Sequence, residues 1–161
     1  MRLDEETFAV IVAISVVASA ISVATIVPRN PEPFTALGIL NSEGKIGDYP
    51  TSVSVGEPVR LYAFVYNSLG RAALFEVVAK VGNGSIPSES EPLNVTPVWK
   101  GYVALCNGAN ATLPVTVTFD RPFINQTLVF ELYVLEENGT WSYTGRYCFL
   151  RLNVTGAAQI G

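Results

Sequence analysis

The sequence predicts an all-β domain, an immunoglobulin-like antiparallel β-sandwich, preceded by one N-terminal hydrophobic helix. Three observations point there. Phe8 to Val27 runs 20 residues without a charge or a proline. After residue 33 the chain breaks into short stretches of alternating apolar and polar residues, separated by Gly, Pro and Asn clusters. Beyond residue 30 there is no helical periodicity and no internal repeat. The organisation expected is a membrane segment over 1–27, a linker over 28–33 and a β-sandwich over 34–161.

At 1.5 Å per residue, the apolar run makes a helix of roughly 30 Å, the thickness of a bilayer's hydrocarbon core. Asp4, Glu5 and Glu6 flank it on one side. Proline-rich Pro28 to Pro33 stops it on the other and reads as an extended, fairly stiff linker. A cleavable secretory signal is the alternative, because Ala18-Ser19-Ala20 and Ser22-Val23-Ala24 both suit a signal peptidase. The length of the run and the single Arg2 against three acids favour a retained anchor. Arg2 against Arg29 hardly sets orientation; the exported character of the domain does, placing the N-terminus inside. Ala9, Ala13, Ala20 and Ala24 with Ser15, Ser19 and Ser22 give small faces, common in any such helix and also suited to close helix contact in lipid.

Phe34 to Leu40 is the first expected strand, followed by a long turn over Asn41 to Pro50. Thr51 to Val55 precedes Gly56-Glu57-Pro58. In Val59 to Asn67, Val59, Leu61, Ala63 and Val65 share one face, and Arg60, Tyr62, Phe64 and Tyr66 the other. Leu74 to Val81 sets Phe75, Val77, Ala79 and Val81 opposite Glu76 and Lys80. Val98 to Cys106 follows. Ala111 to Phe119 is the clearest, with Leu113, Val115, Val117 and Phe119 inward and Thr112, Thr116 and Thr118 outward. Leu128 to Leu135 and Arg146 to Val154 close the set around a hairpin containing Asn138-Gly139. Seven or eight such strands match an immunoglobulin-like sandwich.

Two cysteines are present. Cys148 shares the core face of the last strand with Leu150, Leu152 and Val154, and Cys106 ends a strand beside Asn107-Gly108. In an exported domain the pair reads as a disulfide, worth on the order of 4 kcal/mol for a loop of this length; two free thiols are the alternative. Six Asn-x-Ser/Thr acceptors stand at Asn83, Asn94, Asn110, Asn125, Asn138 and Asn153. Ten asparagines and 23 Ser plus Thr among 161 residues would supply one or two by chance, so six is an excess. Such acceptors are used only on exposed surface outside the cytoplasm, and N-linked glycans are expected. The competing explanation is that Asn and Thr are frequent in turns and edges.

Several chemistries are unsupported. Without a histidine, the chain lacks Ser-His-Asp and Cys-His catalysis, histidine metal sites and a histidine pH switch. Net charge is −4 and the pI near 4.8, with no basic footprint for nucleic acid. Phosphate-loop, dinucleotide, nucleophile-elbow and C-x-x-C motifs are missing. Glu131 and Asp120 are the acids worth testing for glycoside chemistry, and solvated or salt-bridged roles are the simpler reading. Asn41, Glu43 and Asp48 offer oxygens for Ca²⁺, but their spacing fits no known loop rule and an ordinary turn is favoured. Trp99, Tyr102, Trp141 and Tyr143 would suit stacking on sugar rings if exposed; core or edge packing is the default. No cofactor, no metal and no enzymatic activity is expected.

The segments FTALGIL (34–40), GKIGDYPTSVSVGEP (44–58), VFELYVL (129–135) and GRYCFLRLNV (145–154) resemble an archaeal membrane-associated family, the domain of unknown function 1616, over most of 34–154. Members are often longer, with several membrane helices before this domain. The resemblance implies an archaeal surface location and no established activity. SVSVGEPVRLYAFVYNSLG (52–70) also resembles adhesion-type immunoglobulin-like modules of prokaryotic surface proteins. The function expected is a single-pass, membrane-anchored extracellular glycoprotein module, or a secreted one if the helix is cleaved. It would have a structural or protein-interaction role, with other surface proteins or copies of itself as partners. The alternative is a subunit of an extracellular filament or lattice that assembles by strand addition, with Phe34 to Leu40 as donor.

Overall fold

Among the described residues, alternation becomes eight strands in two sheets. The computed structural model describes residues 4–27 and 31–156. Arg2, Arg29 and the first half of the linker, 28–30, lie outside the described residues. In chain order the elements are α1 (Glu5–Ile26), β1 (Phe34–Leu40), β2 (Ser52–Ser54), β3 (Val59–Ser68), β4 (Ala73–Val81), β5 (Trp99–Leu105), β6 (Asn110–Val117), β7 (Phe123–Leu135) and β8 (Trp141–Thr155). The chain divides into two compact units after Glu32.

The first unit holds α1, whose 22 residues span about 33 Å. None of its side chains is buried within the unit. The hydroxyls of its apolar run are satisfied by its own backbone: Ser15 Oγ donates to the Ile11 carbonyl at 2.8 Å, Ser19 Oγ to the Ser15 carbonyl at 2.7 Å and Ser22 Oγ to the Ala18 carbonyl at 2.8 Å. Thr25 Oγ1 donates to the Ser22 carbonyl at 2.8 Å. A helix that meets its polar groups' needs internally can sit in hydrocarbon without orphaned donors.

The second unit is a sandwich of a three-stranded sheet, β1-β3-β6, and a five-stranded sheet, β2-β8-β7-β4-β5. All ladders are antiparallel except that of short β2 with β8, which is parallel and departs from the all-antiparallel expectation. In β3, β4, β6 and β8 the inner faces carry the apolar sets that alternation groups together. Leu61, Ala63 and Val65 of β3 with Val115 and Val117 of β6 meet Phe75, Val77 and Ala79 of β4, Leu128, Phe130 and Leu132 of β7, and Leu152 and Val154 of β8. Each fully buried Val, Leu or Phe contributes about 1.5–3 kcal/mol relative to exposure.

β1 pairs with β3 over all seven residues, Phe34↔Ser68 to Leu40↔Tyr62. Acting as a donor to a neighbouring subunit would mean giving up that whole ladder.

Three strand boundaries differ by two or more residues from the sequence expectation. β7 begins at Phe123 rather than Leu128, because one extra residue bulges between Phe123 and Gln126, with Asn125 at φ 58°. A bulge breaks period-two alternation and disguises the strand as a loop. β8 begins at Trp141 rather than Arg146 for a similar reason, a register shift opposite Glu131 to Tyr133 that contains Gly145 at φ 75°. β6 ends at Val117, although Phe119 still turns into the core.

The disulfide expectation is corrected: Cys106 and Cys148 are both free thiols. Cys148 pairs with Phe130, Phe130 with Ala79 and Ala79 with Trp99, so β8 and β5 are separated by two intervening strands. Three strand spacings amount to about 14 Å, and Cys106 lies a further seven residues on from Trp99, just past the end of β5. A disulfide needs Cα atoms within about 7 Å. Alternation identified the core face of Cys148 correctly; what it could not supply was the order of strands within the sheet.

Candidate functional site

The outer face of the five-stranded sheet is where this domain departs from a plain sandwich. β4 is buried on both faces: Phe75, Val77 and Ala79 point into the core, while Glu76, Val78 and Lys80 are also buried on the other side. The cover is the β4–β5 connection, residues 82–98, which crosses the outer face as a strap.

A buried ion pair clamps that strap. Lys80 Nζ stands 2.6 Å from Glu131 Oε2, with 6% and 0% of their side chains exposed. Glu131 Oε2 also accepts from the Tyr133 hydroxyl at 2.8 Å, and Glu131 Oε1 accepts from the Leu93 amide at 2.6 Å. Lys80 Nζ donates to the Leu93 carbonyl at 2.7 Å and reaches Tyr133 Oη at 3.4 Å. Side chains from two strands thus hold both backbone groups of one strap residue. Farther along, Tyr143 Oη donates to the Ser88 carbonyl at 2.9 Å. Gly145 lets the strap approach: a Cβ there would stand 2.6 Å from the Glu89 carbonyl, and φ is 75°. Burial raises the Tyr143 hydroxyl to about 12, with the Glu131 charge adding to it. Burial, and after it the hydrogen bond to Glu131, raises the Tyr133 hydroxyl as well.

Register aligns an aromatic row across the same face. Tyr102 of β5 lies opposite Glu76 of β4, Glu76 opposite Tyr133 of β7, and Tyr133 opposite Tyr143 of β8. The Tyr133 and Tyr143 rings meet at 5.4 Å beside the strap. Tyr102 and Trp141 meet at 5.8 Å, tilted by 46°, and remain 53% and 38% exposed. Between Trp141 and the strap lies a cavity of about 260 Å³ bordered by Val95, Pro97 and Lys100, with Glu76, Lys80 and Tyr133 in its wall. Lys100 Nζ stands 3.1 Å from Glu76 Oε1, and that carboxylate raises the Lys100 ammonium's affinity for its proton. Of the four aromatics singled out in the sequence, two are therefore packed and two exposed. Trp99 faces the core and lies across Gly101, where no Cβ would fit.

All six sequon asparagines are exposed. Asn83, Asn125 and Asn153 lie at one end of the five-stranded sheet, where the Asn125 amide donates to Asn153 Oδ1 and Gln126 Nε2 to Asn83 Oδ1. Asn94 is on the strap, Asn138 in the β7–β8 hairpin and Asn110 at the start of β6. The buried asparagines use the nitrogen to which a glycan would attach: Asn41 Nδ2 donates to Gly47 and Asn67 Nδ2 to Arg71 and Leu105. None of the sequon asparagines donates from Nδ2 to a described residue. Asn125 stands apart, because the hydroxyl of its sequon, Thr127, is fully buried and bonded to the Ser85 carbonyl at 2.8 Å.

The remaining candidates resolve into structural roles. Asn41 Oδ1 accepts from the amides of Glu43 and Lys45, and Glu43 pairs with Lys45, so the 41–48 loop is an asparagine-organised turn. Asp120 is exposed and lies 3.8 Å from Arg121. Glu131 has its carboxylate fully engaged by Lys80, Tyr133 and Leu93. Among the described residues no cluster of three acids or cysteines is arranged to hold a metal. Alternation missed the buried clamp, although a signal was available. Val78 opposite the core face of β4, and Val129 beside Glu131 in β7, make both strands apolar on two faces, the mark of a sheet covered on both sides.

No family model and no curated protein matches the sequence. Among solved structures, the chain is similar to the CARDB domain of the PF1109 protein from Pyrococcus furiosus in complex with di-metal ions. That likeness has 14% identity and a TM-score of 0.48, over 78% of this chain and 90% of that one. The solution structure of the same domain has 16% identity and a TM-score of 0.49, over 77% and 96%. A β-glucosidase from Listeria innocua in complex with glucose has 12% identity and a TM-score of 0.41, over 77% of this chain and 16% of that enzyme.

Proposed function

We propose that this chain is a non-enzymatic, N-glycosylated β-sandwich module displayed at a cell surface. Its helix is retained as a single-pass anchor, with the N-terminus inside and the domain outside. The observation that carries the reading is the disposition of the six sequon asparagines. All are exposed, and none spends its Nδ2 on the fold, whereas the buried asparagines do. The internally satisfied hydroxyls of the apolar run of α1 support the anchor. The clamp on the outer face supports a scaffold role, since its one fully buried carboxylate is neutralised and fully hydrogen-bonded. The resemblance to the archaeal family of domain of unknown function 1616 belongs to the same reading and would place the module on an archaeal surface. Its partners would be other surface proteins, copies of itself or envelope components, met through the exposed faces of the sandwich.

The test is expression of the full chain, tagged at its N-terminus, in a host that glycosylates Asn-x-Ser/Thr. The expected result is a detergent-dependent protein whose domain is digested by protease added outside intact cells while the tag is protected. Its mass should also fall on enzymatic deglycosylation. A chain that stays unmodified and soluble without detergent would overturn the reading.

A further inference from the structure

We infer that the cavity beside Tyr102 and Trp141 is a saccharide platform, and that its occupant is the first pyranose ring of the glycan carried by Asn94 of the same chain. This rests on the glycosylation proposed above and goes further, assigning one glycan a fixed seat.

Of the aromatics on the outer face, Tyr133 and Tyr143 sit against the strap through Lys80, Glu131 and Ser88, while Tyr102 and Trp141 are left facing solvent as a touching pair. Exposed aromatic area of this kind is unfavourable in water and is put to use where one side of a ligand is apolar and the other polar. A pyranose ring has that character, with a face of C–H bonds ringed by hydroxyls. The negative face of Trp141 suits the polarised C–H bonds. The Glu76–Lys100 pair beside it offers an acceptor and a donor for hydroxyls. At about 260 Å³ the cavity is below the range of roughly 300–1,000 Å³ usual for sites that enclose drug-sized ligands, so it accommodates one ring and not an extended chain.

Asn94 is the sequon placed to fill it. Val95 and Pro97, which border the cavity, immediately follow it in the strap. On its other side Leu93 is held down by Lys80 and Glu131, and the backbone turns tightly, Val95 N donating to the Leu93 carbonyl at 2.9 Å. The attachment point is thus tethered next to the platform, where even a weak ring-on-aromatic contact is favoured by high effective concentration. Thr96, the hydroxyl of this sequon, is exposed. Asn138 also lies near Trp141 in sequence, but its Oδ1 is folded back on Thr140 Oγ1 at 2.6 Å, within its own hairpin.

The experiment uses the glycosylated full chain in detergent, with occupancy of Asn94 read by peptide mass spectrometry and exposure of Trp141 by acrylamide quenching of tryptophan fluorescence. N94Q and T96A should each increase quenching and shift emission to longer wavelength relative to the parent, and W141F should abolish both differences. T96A keeps Asn94 itself, so the two variants together separate loss of the glycan from any local effect of the substitution. Adding the released oligosaccharide to N94Q should restore part of the protection. An occupied Asn94 with quenching unchanged in N94Q overturns this inference and leaves the glycoprotein reading standing. A bare Asn94 in the parent overturns the inference, and the glycoprotein reading falls only if the other five acceptors are bare too. Protection that survives N94Q but is lost in N138Q, or that grows with protein concentration, assigns the platform to a different glycan or to a second copy and likewise overturns it.

Discussion

Replacing Lys80 by Met removes the one cation facing a carboxylate that is fully buried. Glu131 would keep its hydrogen bonds from the Leu93 amide and the Tyr133 hydroxyl. Its charge would be uncompensated, and the Leu93 carbonyl would lose its ammonium donor and keep only the Val95 amide. Breaking a buried pair in this way costs about 3–5 kcal/mol. For a domain of this size each kcal/mol lowers Tm by roughly 3–5 °C, so K80M should melt about 10–25 °C below the parent. The double variant K80M/E131M removes both charges together and should recover most of that loss, because a well-packed apolar pair of similar volume is often as stable as the ion pair it replaces. It should not recover the strap, whose Leu93 amide would be without a partner and whose Leu93 carbonyl would keep only the local Val95 amide. Circular dichroism melts read the first effect. Limited proteolysis within 82–98 reads the second, with faster cleavage in both variants. A K80M melting point within about 3 °C of the parent, equivalent to less than roughly 1 kcal/mol, would refute the buried clamp.

Other outcomes follow from the same geometry. In the native protein an alkylating reagent should label exposed Cys106 and spare Cys148, whose thiol burial pushes up to about 12, so that it stays protonated at pH 8. Both should react after unfolding without reductant, and a chain that takes up no label then would contradict the free thiols. Gly145→Ala forces a side chain to φ 75° and into the Glu89 carbonyl, and should cost at least about 1–2 kcal/mol in denaturant melts; a neutral result would dismiss the close strap contact. If glycans are added after folding, Asn125 should stay bare in peptide mass spectra while the other five acceptors are modified, because Thr127 is buried. Raised tyrosine hydroxyls give alkaline sensitivity: the folded state holds protons on Tyr133 and Tyr143 that the unfolded chain releases near pH 10, so stability falls as pH rises above 10. Ultraviolet titration should show Tyr133 and Tyr143 ionising late, and ionisation of both near pH 10 with no loss of structure would count against the packed row.

Most of the sandwich was legible in the sequence because period-two alternation is a local property. Leu61, Ala63 and Val65, and likewise Phe75, Val77 and Ala79, reach the core because neighbouring side chains on a strand point to opposite faces. The early parts of β7 and β8 were illegible for a local reason too: Asn125 and Gly145 interrupt the alternation at bulges. The same limit explains the aromatics. Tyr102 and Tyr143 sit in similar strand contexts, yet one faces solvent and the other lies under the strap, and only the path of residues 82–98 decides between them.

Short windows of sequence carried the apolar helix, the alternating faces of β3, β4, β6 and β8 and the excess of Asn-x-Ser/Thr sequons, all of which depend on residues close together in the chain. Everything set by strand order came from the tertiary fold. Cys106 and Cys148 each occupy a plausible position, but placing β7 and β4 between their strands keeps the thiols apart. Lys80 and Glu131, 51 residues apart, become a buried clamp because β4 and β7 are neighbours and a strap excludes water from their outer face. Strand order is chosen by the packing of the whole sandwich, and no short window of sequence contains it.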